Sequence, residues 1–431
     1  MKMPARPRPY RDIFSEIMER PPPPGGSREV LPLVKRFNEE YVHWDELRRK
    51  DIPVDPEIIW GLMRMTRDNQ SKHLTIADTT ISYFITNRSQ RALHLLDTGA
   101  SGLLVLKEQL REKEMDRYVV SSLMEEAIAS SQLEGAVTTT KAAKRMLRDN
   151  RKPQTSSEQM IVNDYLTMQK IKEIRMQPLS IAVILDLHRL ITHDTLDEPR
   201  FEGRFRTDDE TVVADPLDDG KVFHQPPSHE CIDRYMGDLC KFVNGSSNDE
   251  FLHPLVKAIL IHFLIGYIHP FVDGNGRLAR ALMYWYALKK DYWLFEYMAI
   301  SKVIKQTKTK YGMAYLYTET DENDVTYFIN YNLDSMEKAL ENTRQYLTRK
   351  QSEQKAAKKL VEAHPELNFR QAEILKDMIK HKGEMISIRE IMTKFNVVNQ
   401  TARTDLLLLN EMGFLELRKV GPKLYFTYRD H

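Results

Sequence analysis

The sequence predicts a mainly α-helical chain with one short β-hairpin near its middle and a small separate domain of three helices and a hairpin at its C-terminal end. Three observations predict it. Glycine is scarce, at 17 of 431 residues. Apolar residues recur at helical spacing over residues 31–115, 156–193 and 228–243. β-prone runs bounded by turn residues occur in only two places.

A chain of 431 residues with 42% hydrophobic content is large enough for two or three domains with real cores. The net charge of +1 excludes a protein that coats polyanions, but does not bear on a local phosphate pocket. Cys231 and Cys240, nine apart in a helix-like segment, form neither a disulfide framework nor a zinc pattern. They read as buried or idle thiols in a reducing compartment. Residues 1–30 lack an apolar signal core, and the longest apolar stretch, residues 258–268, carries His262 and is too short to cross a bilayer. A soluble, cytoplasmic protein with no membrane partner is expected.

The elements follow in chain order. Residues 1–115 read as an N-terminal helical region interrupted by a proline-rich spacer at 21–26. Val119, Leu123, Ala127 and Ile128 mark a helix over about 118–135 that Gly135 is placed to terminate. Thr211, Val212 and Val213, then Lys221, Val222 and Phe223, flank a polar Pro/Asp/Gly turn and predict the hairpin within residues 203–226. Residues 255–268 (LVKAILIHFLIGYI) predict a buried helix that ends at His269, because Pro270 disfavours helical geometry at the residue before it. A second helix begins near Arg277. From 333 to 362 the chain turns polar and charged without Gly or Pro, predicting a solvated connecting helix that His364 and Pro365 end.

The most informative stretch is 269–280, HPFVDGNGRLAR. Gly274 and Gly276 allow positive-φ backbone that turns N–H groups inward as an anion nest, and the following helix adds its N-terminus. Asn275 lies between them. Arg277 and Arg280, three apart, share one helix face. Asp273 is an oxygen ligand suited to Mg²⁺, which keeps waters and bridges substrate phosphates. His269 has the chemistry of a general base toward a hydroxyl. These parts predict attack on a nucleotide phosphate. The stretch is not a Walker A loop, which needs GKS or GKT, nor a dinucleotide fingerprint, which needs a preceding strand.

The segment resembles the Fic motif, HxFx[DE]GNGRxxR, matched without departure by His269, Phe271, Asp273, Gly274, Asn275, Gly276, Arg277 and Arg280. The resemblance implies a Fic-type helical bundle that moves AMP from ATP to a hydroxyl side chain (Ser, Thr or Tyr) of a target protein, releasing pyrophosphate. It implies His269 as base, Asp273 as Mg²⁺ ligand, the loop and arginines as phosphate holders, and Phe271 as a core anchor. GRFR at 203–206 with the residues after it resembles the family's flap, a hairpin that clamps the target peptide; Thr211, Val212 and Val213 would meet the target. Lys310 and Tyr311, then residues 324–328, resemble the helices closing the Fic core, with Tyr311 facing the adenine or packing as core. The core would cover residues 116–340, a helical linker 341–365.

Upstream, SSQLEG at 130–135 resembles the family's inhibitory helix, [ST]xxxE[GN], in which Glu134 would pair with Arg280 and Ser130 is the motif's first residue. Leu133 departs from the usual isoleucine. Thr318 with Glu322 and Asn323 also matches this short pattern; Glu134 is preferred because it closes an apolar-periodic helix. The resemblance further implies a homodimer. Other chemistries share the scaffold: transfer of another nucleotide or of phosphocholine, removal of AMP, or nucleotide sensing by a DNA-binding regulator.

Residues 366–431 carry their own pattern. Residues 368–381 read as one helix, Ser387 can cap a second, Asn399 can cap a third, and two strands surround Gly421 and Pro422. The order resembles a winged helix-turn-helix domain, presenting Gln400, Thr401, Arg403 and Thr404 to a major groove. Eleven Lys/Arg against nine Asp/Glu leave no marked basic face, so DNA binding and protein docking both stand as readings.

Overall fold

The structure is a computed structural model describing residues 2–19, 27–109, 112–215, 218–245, 251–381, 384–420 and 423–429. The proline-rich spacer at 21–26, the tip of the central hairpin at 216–217 and the turn at 421–422 lie outside the described residues.

Four helices open the chain: α1 (Tyr10–Glu19), α2 (Ser27–Glu40), α3 (Trp44–Leu47) and α4 (Pro56–Asp68). Ile13, Val34, Phe37, Trp60 and Met63 gather into a small core among them. Next comes an antiparallel pair, β1 (Lys72–Ile76) and β2 (Thr79–Tyr83), in a region expected to be helical throughout. Its β-branched residues Thr75, Ile76, Thr79, Thr80 and Ile81, split by a turn with Ala77 at φ 54°, favour strands over helix. Buried Arg64 bonds Asp324, while Arg67 donates to Tyr327 and to the Val42 carbonyl, tying these residues to a later part of the chain.

The helices continue with α5 (Asn87–Gln109), α6 (Glu112–Leu133), α7 (Thr140–Arg148), α8 (Ser156–Glu173) and α9 (Ile181–Thr192). Thr155 and Ser180 cap α8 and α9 by accepting the N–H groups of Glu158 and Val183, which satisfies donors the helices cannot satisfy themselves. The hairpin β3 (Val213–Asp215) and β4 (Asp218–His224) precedes α10 (Ile232–Asn244), α11 (Pro254–Ile268), α12 (Asn275–Lys289), α13 (Ile300–Gln306), α14 (Lys308–Thr320) and α15 (Thr326–Ala363). Helix α11 is buried from Leu255 to Ile268 on nearly every side, as its continuous apolar sequence requires, and packs against α12. Helix α6 packs on α8 and α13, and α12 on α8 and α9. Helix α15 is not solvated from its start: Phe328, Ile329, Leu333, Met336, Ala339 and Leu340 are buried, an apolar stripe at three- and four-residue spacing beneath a charged face.

The chain divides into two compact units, one of residues 1–104 and 111–343, the other of residues 105–110 and 344–431. In the second, α16 (Phe369–Lys380), α17 (Ile388–Phe395) and α18 (Asn399–Glu411) pack with strands β5 (Ile386–Ser387), β6 (Leu415–Val420) and β7 (Lys423–Tyr428) in the order β5-β7-β6. Reciprocal capping boxes, Asn368 with Gln371 and Ser387 with Glu390, start α16 and α17. Asn399 does not cap α18: it is the first helical residue, Val398 occupies the cap, and the Asn399 amide turns back to the Met392 sulfur at 3.5 Å. Ile374, Leu375, Ile391, Leu406, Leu409 and Phe426 form the unit's core.

Cys231 and Cys240 are free thiols, the latter pushed up to about 11 by burial. No helix among the described residues is long and apolar enough to cross a membrane.

Candidate functional site

The turn between α11 and α12 brings the motif residues together. Helix α11 ends at His269 in the left-handed region (φ 47°, ψ 57°), its N–H still donating to the Ile265 carbonyl. A non-glycine residue rarely adopts this conformation, so its neighbours must impose it. Arg206 supplies the restraint: its N–H donates to the Pro270 carbonyl at 2.9 Å and its Nε to the His269 carbonyl at 3.0 Å. The His269 ring faces the Gly266 carbonyl through Nδ1 at 3.2 Å. A carbonyl only accepts, so Nδ1 carries the proton and Nε2 keeps its lone pair. Burial, and then the charges of His224 and Arg206, pull its pKa down to about 4 against the Gly266 contact and Glu134.

Phe271 is fully buried and stacks on the His188 ring, centroids 3.6 Å apart and planes 7° from parallel. Asn275 bridges the loop's own backbone, accepting the Phe271 N–H at 3.0 Å and donating to the Phe271 carbonyl at 2.7 Å. His188 Nδ1 accepts the Gly203 N–H at 3.0 Å, so Nε2 bears the proton and donates to the Asp273 carbonyl at 2.9 Å. Burial holds His188 down to about 4, which keeps it in this neutral form. Gly274 sits at φ 84°, where an added Cβ would lie 2.9 Å from Thr192. Gly276, expected with Gly274 to take positive φ ahead of a helix starting near Arg277, instead lies in the first turn of α12, which starts at Asn275, and is needed for a different reason: a Cβ there would meet the Glu134 carboxylate at 2.2 Å.

One Asp273 oxygen accepts the Gly274 N–H at 2.6 Å and the other lies 3.6 Å from Arg277 Nη2, with the side chain 55% exposed. A single open carboxylate fits Mg²⁺, which takes one or two carboxylates and draws its other ligands from water and substrate phosphate. His193, Asp194 and Glu202 also converge, at 3.4 Å and 3.6 Å. Their carboxylates approach opposite nitrogens of an exposed ring, a bridging geometry and not that of one ion's cage.

Arg277 and Arg280 are each 1% exposed. Arg277 donates to the Ile191 carbonyl at 2.8 Å. Arg280 donates through Nε to Ser130 Oγ at 3.0 Å and through Nη2 to the Ser130 carbonyl at 3.1 Å, and Nη2 lies 2.9 Å from Glu134 Oε1. Glu134 stands in the turn after α6, where Gly135 adopts φ 99°. Burial would raise the Glu134 pKa, but the Arg280 charge and hydrogen bond outweigh it and hold the carboxyl below its ordinary range. Glu322, the other match to the short pattern, is an exposed carboxylate paired with Arg64.

Tyr311 lies in an aromatic cluster with Tyr315, Phe328 and Tyr331, its hydroxyl 2.8 Å from His262 Nε2, and its ring only part-buried. Of the three residues expected at the start of the hairpin, Val213 is in β3, while Thr211 and Val212 precede the strand. Asp208 and Asp209 delay the pairing: Arg206 binds the Asp208 carbonyl and the Asp209 side chain, and Asp209 takes the His229 N–H at 2.6 Å. At the base of the hairpin, opposite Val213, His224 bridges Glu319 and the Tyr267 carbonyl, each at 2.7 Å.

His188 and Arg206 hold the loop yet were not among the sequence candidates. His188 looked like one residue of an apolar helix face, and its only signal was that a buried imidazole must find partners. Arg206 stood within GRFR, but nothing local tied it to a carbonyl 63 residues away.

Residues 178–287 match the Fic/DOC family. Over 186 residues, 42% of the chain, the sequence is 30% identical to the protein adenylyltransferase Fic of Nematostella vectensis, covering 39% of that protein. Over 264 residues, 60% of the chain, it is 27% identical to the protein adenylyltransferase Fic of Drosophila erecta, covering 48%. The chain thus spans less than half the length of these curated relatives. The crystal structure of a Fic family protein from Desulfovibrio desulfuricans G20 superposes with a TM-score of 0.52 at 19% identity, covering 81% of this chain and 98% of that one, which shows a shared fold. The loop from His269 to Arg280 therefore lies inside the stretch that matches the Fic/DOC family, on a mainly helical fold shared with that structure.

Proposed function

We propose that the chain is a self-inhibited protein adenylyltransferase. The observation that carries this reading is one turn that joins a neutral His269, with Nε2 free to take a proton, to the N-terminus of α12 and two buried arginines.

The target hydroxyl oxygen attacks the α-phosphorus of ATP, its proton passes to His269 Nε2, and the bond to the β-phosphate oxygen breaks to release pyrophosphate. The first N–H groups of α12 have no partner within the helix and, with Arg277 and Arg280, receive the charge that moves onto the departing phosphates. When bound through Asp273 and a substrate phosphate, Mg²⁺ supplies further neutralisation of that charge. The β3 edge at Val213, continued by Thr211 and Val212, binds the target as an added extended strand, so main-chain pairing selects it loosely by sequence. Glu134 and Ser130 restrain the enzyme by occupying the Arg280 fork that the terminal phosphate needs.

The C-terminal unit is read as a winged helix whose α18 exposes Gln400, Arg403 and Thr404. Duplex binding that weakens steeply with salt favours DNA as its partner, whereas a flat response favours protein docking.

The test is incubation with α-labelled ATP, Mg²⁺ and cell lysate, comparing wild type, Glu134→Gly and His269→Ala. Glu134→Gly labels more strongly, itself included, and His269→Ala not at all. Label persisting in His269→Ala removes the base from the mechanism, and a Glu134→Gly protein no more active than wild type removes the inhibition.

A further inference from the structure

We propose that Asp164 on α8 is a positioning residue for the inhibited state, fastening the turn that presents Glu134 and setting how readily a polyphosphate displaces that carboxylate. The inference rests on the adenylyltransferase reading and deepens it.

The geometry begins behind the turn. Asp164 is 5% exposed, and its Oδ2 accepts the Ser131 hydroxyl at 2.7 Å. Ser131 is wholly buried, and its carbonyl accepts the N–H groups of Glu134 at 3.2 Å and Ala136 at 3.0 Å. One contact from α8 therefore fixes the residue around which the inhibitory turn is wound. On its other side Asp164 shares a small internal cavity with Glu126, Ser130, Thr167, Arg277 and Arg280. Arg277 Nε and Nη2 are buried without a hydrogen-bond partner among the described residues, Nη2 lying 3.6 Å from the Asp273 carboxylate. Asp164 is thus one of the carboxylates, with Glu126 and Glu134, that offset the buried charges of Arg277 and Arg280.

Two consequences act in the same direction. Without the Asp164 charge the Ser131 contact falls from a charge-assisted to a neutral hydrogen bond of about half the strength, and the turn loosens. The positive potential at Arg277 and Arg280 also rises for both competing anions, and the triphosphate, carrying more charge than one carboxylate, gains more.

A proton can make the same change. Burial pushes the Asp164 carboxyl up to about 6, against the pull of Arg277, Ser131 and Arg280 and with a push from Glu134. Glu126 faces it across the cavity and is raised by burial as well. Glu134 is held low by Arg280 and stays charged, and His269, at about 4, stays unprotonated. Mild acid therefore neutralises Asp164 before it disables the base.

The experiment uses the full chain as wild type, Asp164→Asn, Ser131→Ala and Glu134→Gly, measuring affinity for a fluorescent ATP analogue and AMP labelling at pH 7.5 and 5.5. At pH 7.5, Asp164→Asn and Ser131→Ala bind nucleotide about tenfold more tightly than wild type, a change of about 1.4 kcal/mol. Lowering the pH raises wild-type affinity several-fold and leaves Asp164→Asn unchanged. The assignment is overturned if both variants bind like wild type while Glu134→Gly binds more tightly. If Asp164→Asn does not fold, Ser131→Ala decides alone, and wild-type affinity in it overturns the assignment. If Glu134→Gly itself neither binds more tightly nor labels, the adenylyltransferase reading fails first and the role of Asp164 falls with it.

Discussion

Replacing Glu134 in graded steps tests the proposed restraint directly. Its carboxylate lies 2.9 Å from Arg280 Nη2, and the guanidinium also keeps two bonds to Ser130, so Arg280 stays presented when Glu134 is removed. A hydrogen bond to a charged group contributes about 1.5–3 kcal/mol. With the Glu134 side chain 31% exposed, solvent screening places this contact at the lower end, about 1.5–2 kcal/mol. ATP that no longer has to displace it binds roughly 10- to 30-fold more tightly to Glu134→Gly, at a factor of ten per 1.4 kcal/mol. Glu134→Gln keeps an acceptor at about half the strength, so its gain is about three- to fivefold. Equilibrium titration with a fluorescent ATP analogue, with no target present, reads the series without the chemical step. The expected order is wild type, then Glu134→Gln, then Glu134→Gly. A Glu134→Gly protein that binds no more tightly than wild type refutes the reasoning, as does a Glu134→Gln protein that exceeds it.

In the Glu134→Gly background, labelling stays level as pH falls through 6 and declines only near 4, because His269 takes its proton well below the usual imidazole range; a decline centred near 6.5 would falsify the burial argument. His43 (about 3), His188 (about 4) and buried His262 are also held neutral, burial being the first cause in each. The unfolded chain takes up these protons near pH 6.5 and the folded chain refuses them, so the urea midpoint falls from pH 7 to pH 5; an unchanged or higher midpoint contradicts this. Asn275→Ala leaves the buried Phe271 N–H and carbonyl without partners and costs about 3 kcal/mol, visible in chemical denaturation; a loss under about 1 kcal/mol would mean that the loop holds itself without the bridge. Arg206→Ala frees the base of the hairpin and the backbone at His269, raising the KM for target protein and lowering kcat while ATP affinity stays; the reverse split would place Arg206 with the nucleotide.

Much of the loop was legible because its constraints are local. Residues 255–268 are apolar all round and α11 is buried all round; Gly274 takes the positive φ its position called for. Other expectations failed where a long-range contact changed the outcome. Leu333, Met336, Ala339 and Leu340 lay within a charged sequence, expected to be solvated from residue 333, and are buried. The strand expected from Thr211 starts at Val213 because Arg206 and His229 claim the preceding aspartates.

The short inhibitory pattern shows the division most sharply. Two glutamates satisfy it, and composition and spacing do not measure which one reaches an arginine. By itself the sequence determined the helical class, the places where helices stop, and a loop whose glycines, histidine and arginines suit a phosphate. Only the tertiary structure decided that Glu134 meets Arg280 while Glu322 meets Arg64, and that His188, Arg206 and Asp164 stand behind the loop and the turn. Backbone geometry at a glycine or before a proline is set by adjacent atoms, whereas Arg280 and Ser130 are 150 residues apart and meet only because buried helices close over them.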